Sequence, residues 1–412
     1  MNQDFEVVRQ HCEKLKNTCI QPPCGWLKYP YITPTSSKVT NEGYHDLVDW
    51  DAIHAGIAFA MQGDVDPLKF SCMNLIDHID ENGKGYRRIA CNKYVAASYN
   101  IRPWLNLGTF IAVRESKDLS FLKENGRLQK LYTYLMYYKK SRMGKNGLYK
   151  WKCANESGMD NSLAYSTREE NIVEAVDLNT MMVVEHTALA KIFEWAGDDR
   201  KAVELRQIAK NLKEKLLDVL FDAEEDMFYC NYNGKGEKGV FIRRKCYTLM
   251  FPLYAKLVDA ETGKRIIEKH LLNPDEYWGK FGVRTMAKSD ICFNNGIRGV
   301  LLSYPKEEFG TEGLYFNCSN WQGPVWVISN FLMMIALKNY GYTEQARSLC
   351  DKTMKILAND IRQSGGMHEN YDSETGKALC AAGFGSWNFL AAVMYQELEN
   401  EKSFYFEGLG DF

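Results

Sequence analysis

The chain has 412 residues, enough for a large buried core, and a formal net charge of −2 from 51 basic and 53 acidic side chains. That balance excludes a basic nucleic-acid footprint and an acidic solvating tail. No apolar run reaches membrane-spanning length, so a membrane partner is excluded as well.

The N-terminus, Met1 to Val8, lacks a basic start followed by an apolar stretch, so no secretory leader is expected there. A cytoplasmic location follows, with the 12 cysteines kept as reduced thiols. Cys12, Cys19 and Cys24 cluster near His11. They lack the Cys-x-x-Cys spacing of a metal site and are read as thiols in or near the core, with no metal expected.

Helical periodicity dominates from there on. Residues 51–62, 67–79 and 119–140 are predicted helices. Residues 181–220 carry apolar side chains at three- and four-residue spacing, broken by Gly197-Asp198-Asp199 into a helix pair. Residues 325–336 are nearly all apolar, and Tyr340-Gly341-Tyr342 separates them from an amphipathic stretch, 343–357, with Thr343 as an acceptable N-cap. A last helix is predicted over 386–398. Residues 147–151 and 227–230 read as short strands in connecting loops.

Pairs of one all-apolar and one amphipathic helix imply an inner and an outer layer, since inner helices are buried on every side. No fixed-period repeat points to a solenoid. No linker rich in Pro, Gly or Ser is visible, so residues 1–412 read as one domain.

The chemistry gathers between these helices. Glu156-Ser157-Gly158-Met159-Asp160-Asn161-Ser162 and His368-Glu369-Asn370-Tyr371-Asp372 are acidic motifs about half the chain apart, and Asn320-Trp321-Gln322-Gly323-Pro324-Val325-Trp326 runs between them. Aromatics make up 13% of the chain, on the rich side, and indole, amide and carboxylate together suit a sugar. Rings cover its apolar C–H face, and polar groups bind its hydroxyls. Two carboxyl groups flanking a glycosidic bond are the minimum equipment for hydrolysing it.

Asp160 as a general acid needs a raised pKa, which like-charge repulsion from Glu156 and desolvation by Met159 would supply. The plainer reading is an Asp capping a turn. Glu369 as a base needs orienting neighbours, for which His368, Asn370 and Tyr371 qualify; otherwise it is a loop glutamate. Trp321 and Trp326 are either sugar platforms or core plugs, and Pro324 suits a first helical turn. Leu47-Val48-Asp49-Trp50-Asp51 and Ser98-Tyr99-Asn100-Ile101-Arg102-Pro103-Trp104 add further aromatic–polar loops.

Taken in order, Trp50-Asp51, Gly158-Met159-Asp160-Asn161-Ser162, Trp321 to Trp326, and Glu369-Asn370-Tyr371 followed by Gly376 resemble the catalytic domain of glycoside hydrolase family 63. The resemblance takes in the small bacterial mannosylglycerate-hydrolase-like members of that family, and family 37 trehalases share the architecture more distantly. The resemblance runs over residues 30–390. It implies an all-α (α/α)6 barrel, the six-hairpin glycosidase toroid, with short strands in connecting loops.

The resemblance also implies an inverting α-glycosidase acting on a small α-glucoside or α-mannoside, of disaccharide or glycosyl-glycerate type, without a cofactor. Asp160 would be the general acid and Glu369 the general base. Trp50, Asp51, Asn161, Trp321, Gln322, Gly323, Trp326 and Tyr371 would bind the sugar, with Arg102 and Trp104 beside them. Two positions depart from the family pattern: Gln322 stands where Arg is frequent, and Asn100-Ile101-Arg102-Pro103 replaces a Gln-Pro-Pro-like loop. Both put substrate identity in doubt, and Arg102 suits an acidic aglycone such as glycerate.

Two rival classes remain. A sugar isomerase or epimerase on the same barrel would use histidine pairs, and His45, His54, His186 and His368 lie near the candidate segments. A carbohydrate-binding module without catalysis is the other, because fold alone does not imply chemistry. Oligomeric state is not legible.

Overall fold

The computed structural model describes residues 3–36, 45–165, 171–232, 240–296, 319–410 and 412. Nine long helices stand among the described residues: α1 (Gln3–Cys19), α2 (Asp49–Met61), α3 (Asp66–Asp77), α4 (Leu105–Ser116), α5 (Arg127–Arg142), α6 (Val176–Trp195), α7 (Asp199–Leu220), α8 (Val327–Asn339) and α9 (Thr343–Ser364). The described residues fall into two compact units. One comprises Met1–Ser141, Met181–Asn211 and Ala382–Phe412; the other comprises Arg142–Thr180 and Leu212–Ala381.

In the first unit every residue of α2 is buried, as are Leu105 to Val113 of α4. Both helices are largely apolar around these stretches and pack on all sides, with a few polar side chains such as Asp51, His54 and Asn106 buried among them. Helix α3 packs against each of them with a mixed face. In α1, Val8, Cys12, Leu15 and Cys19 form a single buried stripe at helical spacing. Two of the N-terminal cysteines are therefore core side chains, as expected. The third differs: Cys24 forms a disulfide with Cys91, Cα to Cα 5.2 Å. The expectation of reduced thiols throughout fails at this pair, because the fold brings two distant cysteines within bonding geometry. Among the described residues no group of three or more His, Cys, Asp or Glu forms a metal site.

The second unit repeats the pairing. Helix α8 is buried from Val327 to Leu337, and α9 lies along it with an amphipathic face that includes Ala346, Leu349, Thr353, Ile356 and Leu357. A four-stranded antiparallel sheet, in the order Phe241–Ile242, Cys230–Tyr232, Val173–Glu174, Lys150–Trp151, supplies the expected strands among the loops. A two-stranded sheet, His368–Tyr371 with Ala378–Ala382, carries the second acidic motif. Its turn needs Gly376, which has φ +75 and lies so close to Phe281 that an added Cβ would sit 2.8 Å from the ring.

Several expectations shift. Helices α1 and α4 stand where none was read. The 119–140 helix is broken: Ser120–Lys123 ends before Asn125, whose φ of 52 interrupts helical geometry. The last predicted helix is a 3-10 segment, Ser386–Val393, followed by one short α-helix, Met394–Glu399. Pro324 does not open a helical turn. Val325 forms antiparallel bridges with both Arg284 and Tyr371, which keeps the chain extended until α8 begins.

Candidate active site

Asp160 lies in a turn built from its own neighbours. The four-residue helix Ala154–Ser157 ends at Gly158, whose φ of +88 is open to glycine without steric cost. The Ser157 hydroxyl donates to the Ala154 carbonyl at 2.7 Å and accepts from Met159 N–H at 3.1 Å. Ser162 N–H then closes onto the Met159 carbonyl at 2.8 Å. Asp160 sits between these bonds, partly exposed on a closed loop.

Glu156 does not act on Asp160 as expected. Its carboxylate is fully buried and bound by Arg142, Nη2 to Oε1 at 2.7 Å and Nε to Oε2 at 3.0 Å, with Lys152 N–H adding a third bond at 2.8 Å. A carboxylate matched by a two-point guanidinium fork offers little like-charge repulsion to its neighbours. It anchors the turn instead.

Asn161 ties this turn to the central motif. Its side chain donates to Asn320 Oδ1 at 3.0 Å and accepts from Trp321 N–H at 2.8 Å, while its carbonyl accepts from Gln322 Nε2 at 2.9 Å. Asn320 is the knot. Its Oδ1 also accepts from Gln322 N–H at 3.0 Å, its Nδ2 donates to the carbonyls of Asn294 and Gly296, and its carbonyl accepts from Trp326 Nε1 at 2.9 Å. Sequence reasoning quoted Asn320 within its motif but assigned it no role.

Trp321 and Trp326 stack on each other, centroids 3.8 Å apart and planes 10° from parallel. Trp326 is completely enclosed, which is the core-plug alternative. At Gly323 an added Cβ would lie 2.8 Å from the Asn294 carbonyl oxygen, so this glycine is set by packing.

The other end of the motif meets the second acidic strand. Val325 N–H donates to the Tyr371 carbonyl at 2.7 Å, and the Val325 carbonyl accepts from Tyr371 N–H at 2.9 Å. Glu369, two residues before Tyr371 and so on the same face of its strand, is buried, with its Oε2 2.8 Å from the Cys380 sulfur. The residue after Asp160 and the strand of Glu369 are thus hydrogen-bonded to one seven-residue segment. The orienting groups named beforehand act differently: the Tyr371 hydroxyl donates to Asp360 Oδ2 at 2.8 Å, and His368 Nδ1 pairs with the same oxygen at 2.9 Å. Both hold the strand to α9.

Trp50, Asp51, Arg102 and Trp104 belong to the first unit. Arg102 is buried and forks onto Asp49, Nε to Oδ1 at 2.8 Å with Nη2 on the same oxygen, and its N–H reaches Oδ2 at 2.7 Å. Its guanidinium lies 4.5 Å from the Trp50 ring. Asp49 already answers its charge, which leaves less of it for an acidic aglycone than the sequence suggested. Asp51 accepts from the Ser386 hydroxyl at 2.7 Å. Burial pushes its pKa up to about 6 against the opposing pull of Arg102. Trp104 packs edge-on to His54, centroids 4.4 Å apart.

The histidines do not form acid–base pairs among the described residues. His54 Nδ1 meets the Tyr405 hydroxyl at 2.7 Å, His186 Nδ1 meets its own helix at Met182 O at 2.6 Å, His368 meets Asp360, and His45 is exposed.

The family profile described as "Mannosylglycerate hydrolase MGH1-like glycoside hydrolase domain" matches residues 44–389. The chain is 25% identical over 234 residues to a probable mannosyl-oligosaccharide glucosidase of Schizosaccharomyces pombe, over 54% of this chain and 26% of that protein. It is 22% identical over 205 residues to a mannosylglycerate hydrolase of Rubrobacter radiotolerans, over 50% of this chain and 40% of that protein. These matches therefore take in less than half the length of either relative.

A solved structure of a GH63 mannosylglycerate hydrolase from Thermus thermophilus, in complex with Tris and D-glycerate, superposes with a TM-score of 0.71 at 14% identity. It covers 94% of this chain and 100% of that one. Likeness at that identity speaks for the fold, the mostly helical six-hairpin barrel expected from the motifs. With the family profile matched over most of its length, the chain belongs to the mannosylglycerate hydrolase MGH1-like glycoside hydrolases of family 63.

Proposed function

We propose that this chain is an inverting α-glycoside hydrolase that cleaves a small α-glucoside or α-mannoside, of the disaccharide or glycosyl-glycerate type. Asp160 protonates the leaving oxygen, and Glu369 takes a proton from the water that attacks the opposite face of the sugar ring. The carrying observation is the segment Asn320–Trp326, hydrogen-bonded through Asn161 to the Asp160 turn and through Val325 to the Glu369 strand. Inversion asks for two carboxyl groups about 6.5–9.5 Å apart, leaving room for one water between base and sugar.

In the first unit, Trp50, Asp51 and Trp104 are read as sugar-binding residues, and Arg102 keeps Asp49 and the Trp50 ring in place. Residues 1–412 are taken as one catalytic domain, since the family match runs through segments of both compact units. The relatives' printed names supply the candidate substrates: glycosyl-glycerates and glucosylated oligosaccharides.

Among the described residues no helix is long and apolar enough to cross a membrane. The cytoplasmic placement sits against the Cys24–Cys91 disulfide, which suits an oxidising compartment. A thiol titration of protein taken from its native compartment decides between the two.

The function is tested by offering the purified protein a panel of α-linked glucose and mannose disaccharides and glycosyl-glycerates. The first-formed product anomer is then followed by NMR. Release of the β-anomer from an α-linked substrate is expected. Release of the α-anomer would replace inversion with retention, and no release from any member would remove the hydrolase reading.

A further inference from the structure

Ser386 stands out by its backbone. Its φ of +34 lies in the left-handed region, and among the described residues it alone of the positive-φ non-glycines is buried. The others sit in at least partly exposed positions, where small polar or flexible residues turn the chain. Glycine takes such a conformation at lower cost, and this stretch already uses it twice, in Gly383-Phe384-Gly385-Ser386. Gly385 has an ordinary φ of −91, and its lack of a side chain is explained by the Phe389 ring and Cys19 sulfur, 2.7 and 2.9 Å from where a Cβ would be. The strained position is therefore filled by the residue that carries a hydroxyl. A strained, buried side chain persists where its surroundings or its function require it.

What the hydroxyl does is plain in the geometry. It donates to Asp51 Oδ1 at 2.7 Å, joining the start of the Ser386–Val393 segment to the first turn of α2 across 335 positions of sequence. Beside Asp51, Trp50 and Trp387 pack edge to face, centroids 5.0 Å apart. The charged groups that act on Asp51 are Arg102, which favours its ionised form, and Asp49, which opposes it. These two are fixed on each other. Ser386 is thus the donor that holds the Asp51 rotamer.

We propose that Ser386 is a positioning residue for sugar binding: its hydroxyl fixes one oxygen of Asp51 so that the other faces a substrate hydroxyl, and the strained backbone is kept for that contact. This rests on the reading of Asp51 as a sugar-binding carboxylate. The competing account is a hydroxyl that merely staples two segments of the core together.

Ser386→Gly separates the accounts, because it deletes the hydroxyl while relieving the strain. The expected outcome is an unchanged or raised melting temperature, together with about a tenfold rise in KM that carries the loss in kcat/KM. The same hydrogen bond favours the ionised carboxylate, so its loss should move the acid limb of the kcat/KM profile to higher pH. A structural staple would lower the melting temperature and leave KM and the pH profile alone. Ser386→Ala, which keeps a Cβ in place, should reproduce the KM effect.

Asp51→Asn is the control, and binding of free glucose or mannose measured by calorimetry gives a readout apart from turnover. If Asp51→Asn weakens sugar binding while Ser386→Gly and Ser386→Ala match the wild type, the positioning role is overturned and the site reading stands. If Asp51→Asn itself leaves KM and monosaccharide affinity unchanged, Asp51 is outside the site and both fall.

Discussion

The Asp160 turn and the Glu369 strand deliver their carboxylates by opposite means. Around Asp160 the backbone is irregular, and side chains close it: Ser157 inside the turn, Glu156 onto Arg142, and Asn161 onto the central motif. Around Glu369 the backbone does the work, through a two-stranded sheet on one side and the Val325–Tyr371 bridge on the other. Asp160 is partly exposed, which fits its proposed role as general acid, and Glu369 is buried. Single side-chain deletions should therefore loosen the surroundings of the proposed acid, while those of the proposed base should resist them.

The two carboxylates should be equally indispensable despite that difference. Asp160→Asn and Glu369→Gln are each expected to lower kcat by about 100- to 10,000-fold, the usual worth of a positioned acid or base, with little change in melting temperature. Steady-state kinetics beside a thermal melt would show it. Wild-type-like turnover in either variant removes that residue from its role and leaves the comparison one-sided.

The anchors come next. Glu156→Gln leaves Arg142 buried beside a neutral partner, and breaking a buried pair from one side costs about 3–5 kcal/mol. Glu374, bound to Arg284 near the Glu369 strand, keeps its side chain 39% exposed. Glu374→Gln should therefore cost less than Glu156→Gln, since solvent screens the lost carboxylate and the buried Arg284 keeps the Pro274 and Glu276 carbonyls as partners. Urea denaturation of the two variants measures the contrast directly, and equal losses would refute it.

Asn161→Ala should cost about 2–3 kcal/mol, because the Trp321 N–H and Asn320 Oδ1 it serves are buried. It should also lower kcat by about tenfold, since loss of its support displaces the neighbouring Asp160 by a fraction of an ångström. A variant that loses stability with kcat intact would show that the clamp serves the fold alone.

The inner helices were legible in the sequence because burial on all sides writes a nearly all-apolar segment, as in α8 and the second half of α2. Helix α1 was not, because two of its four buried positions are cysteines, read as core thiols without the helical spacing that joins them to Val8 and Leu15. The break at Asn125 was hidden inside a run whose apolar spacing continues past it. Of the site, the motif centres could be read from residue type and order. Their partners could not, since Glu156–Arg142, Asp49–Arg102 and Asp51–Ser386 join positions that only the fold brings together. Asn320 shows the limit most clearly: nothing in the order of residues marks it, and its hydrogen bonds hold the motif together.

The smallest expected effect lies on the Glu369 side, where the sheet should absorb a lost side-chain bond. Tyr371→Phe removes the hydroxyl that donates to Asp360 Oδ2 at 2.8 Å, leaving His368 N–H and Nδ1 on that oxygen and Ser364 on the other. Burial raises the Asp360 pKa, but the bonds from His368, Tyr371 and Ser364 outweigh it and hold the group below its usual range. A depressed carboxylate stabilises the fold fully above its unfolded pKa of about 4, and the benefit fades as pH falls through the folded value. The phenol therefore supports the ionised form more than the neutral one. Tyr371→Phe should cost about 1–2 kcal/mol near neutral pH, with kcat within a factor of about two of the wild type. The gap in melting temperature between the two proteins should narrow as the pH is lowered below about 4. A gap that stays constant with pH would mean that the phenol does not serve the Asp360 carboxylate. A large fall in kcat would mean that the Glu369 strand depends on side chains as much as the Asp160 turn does.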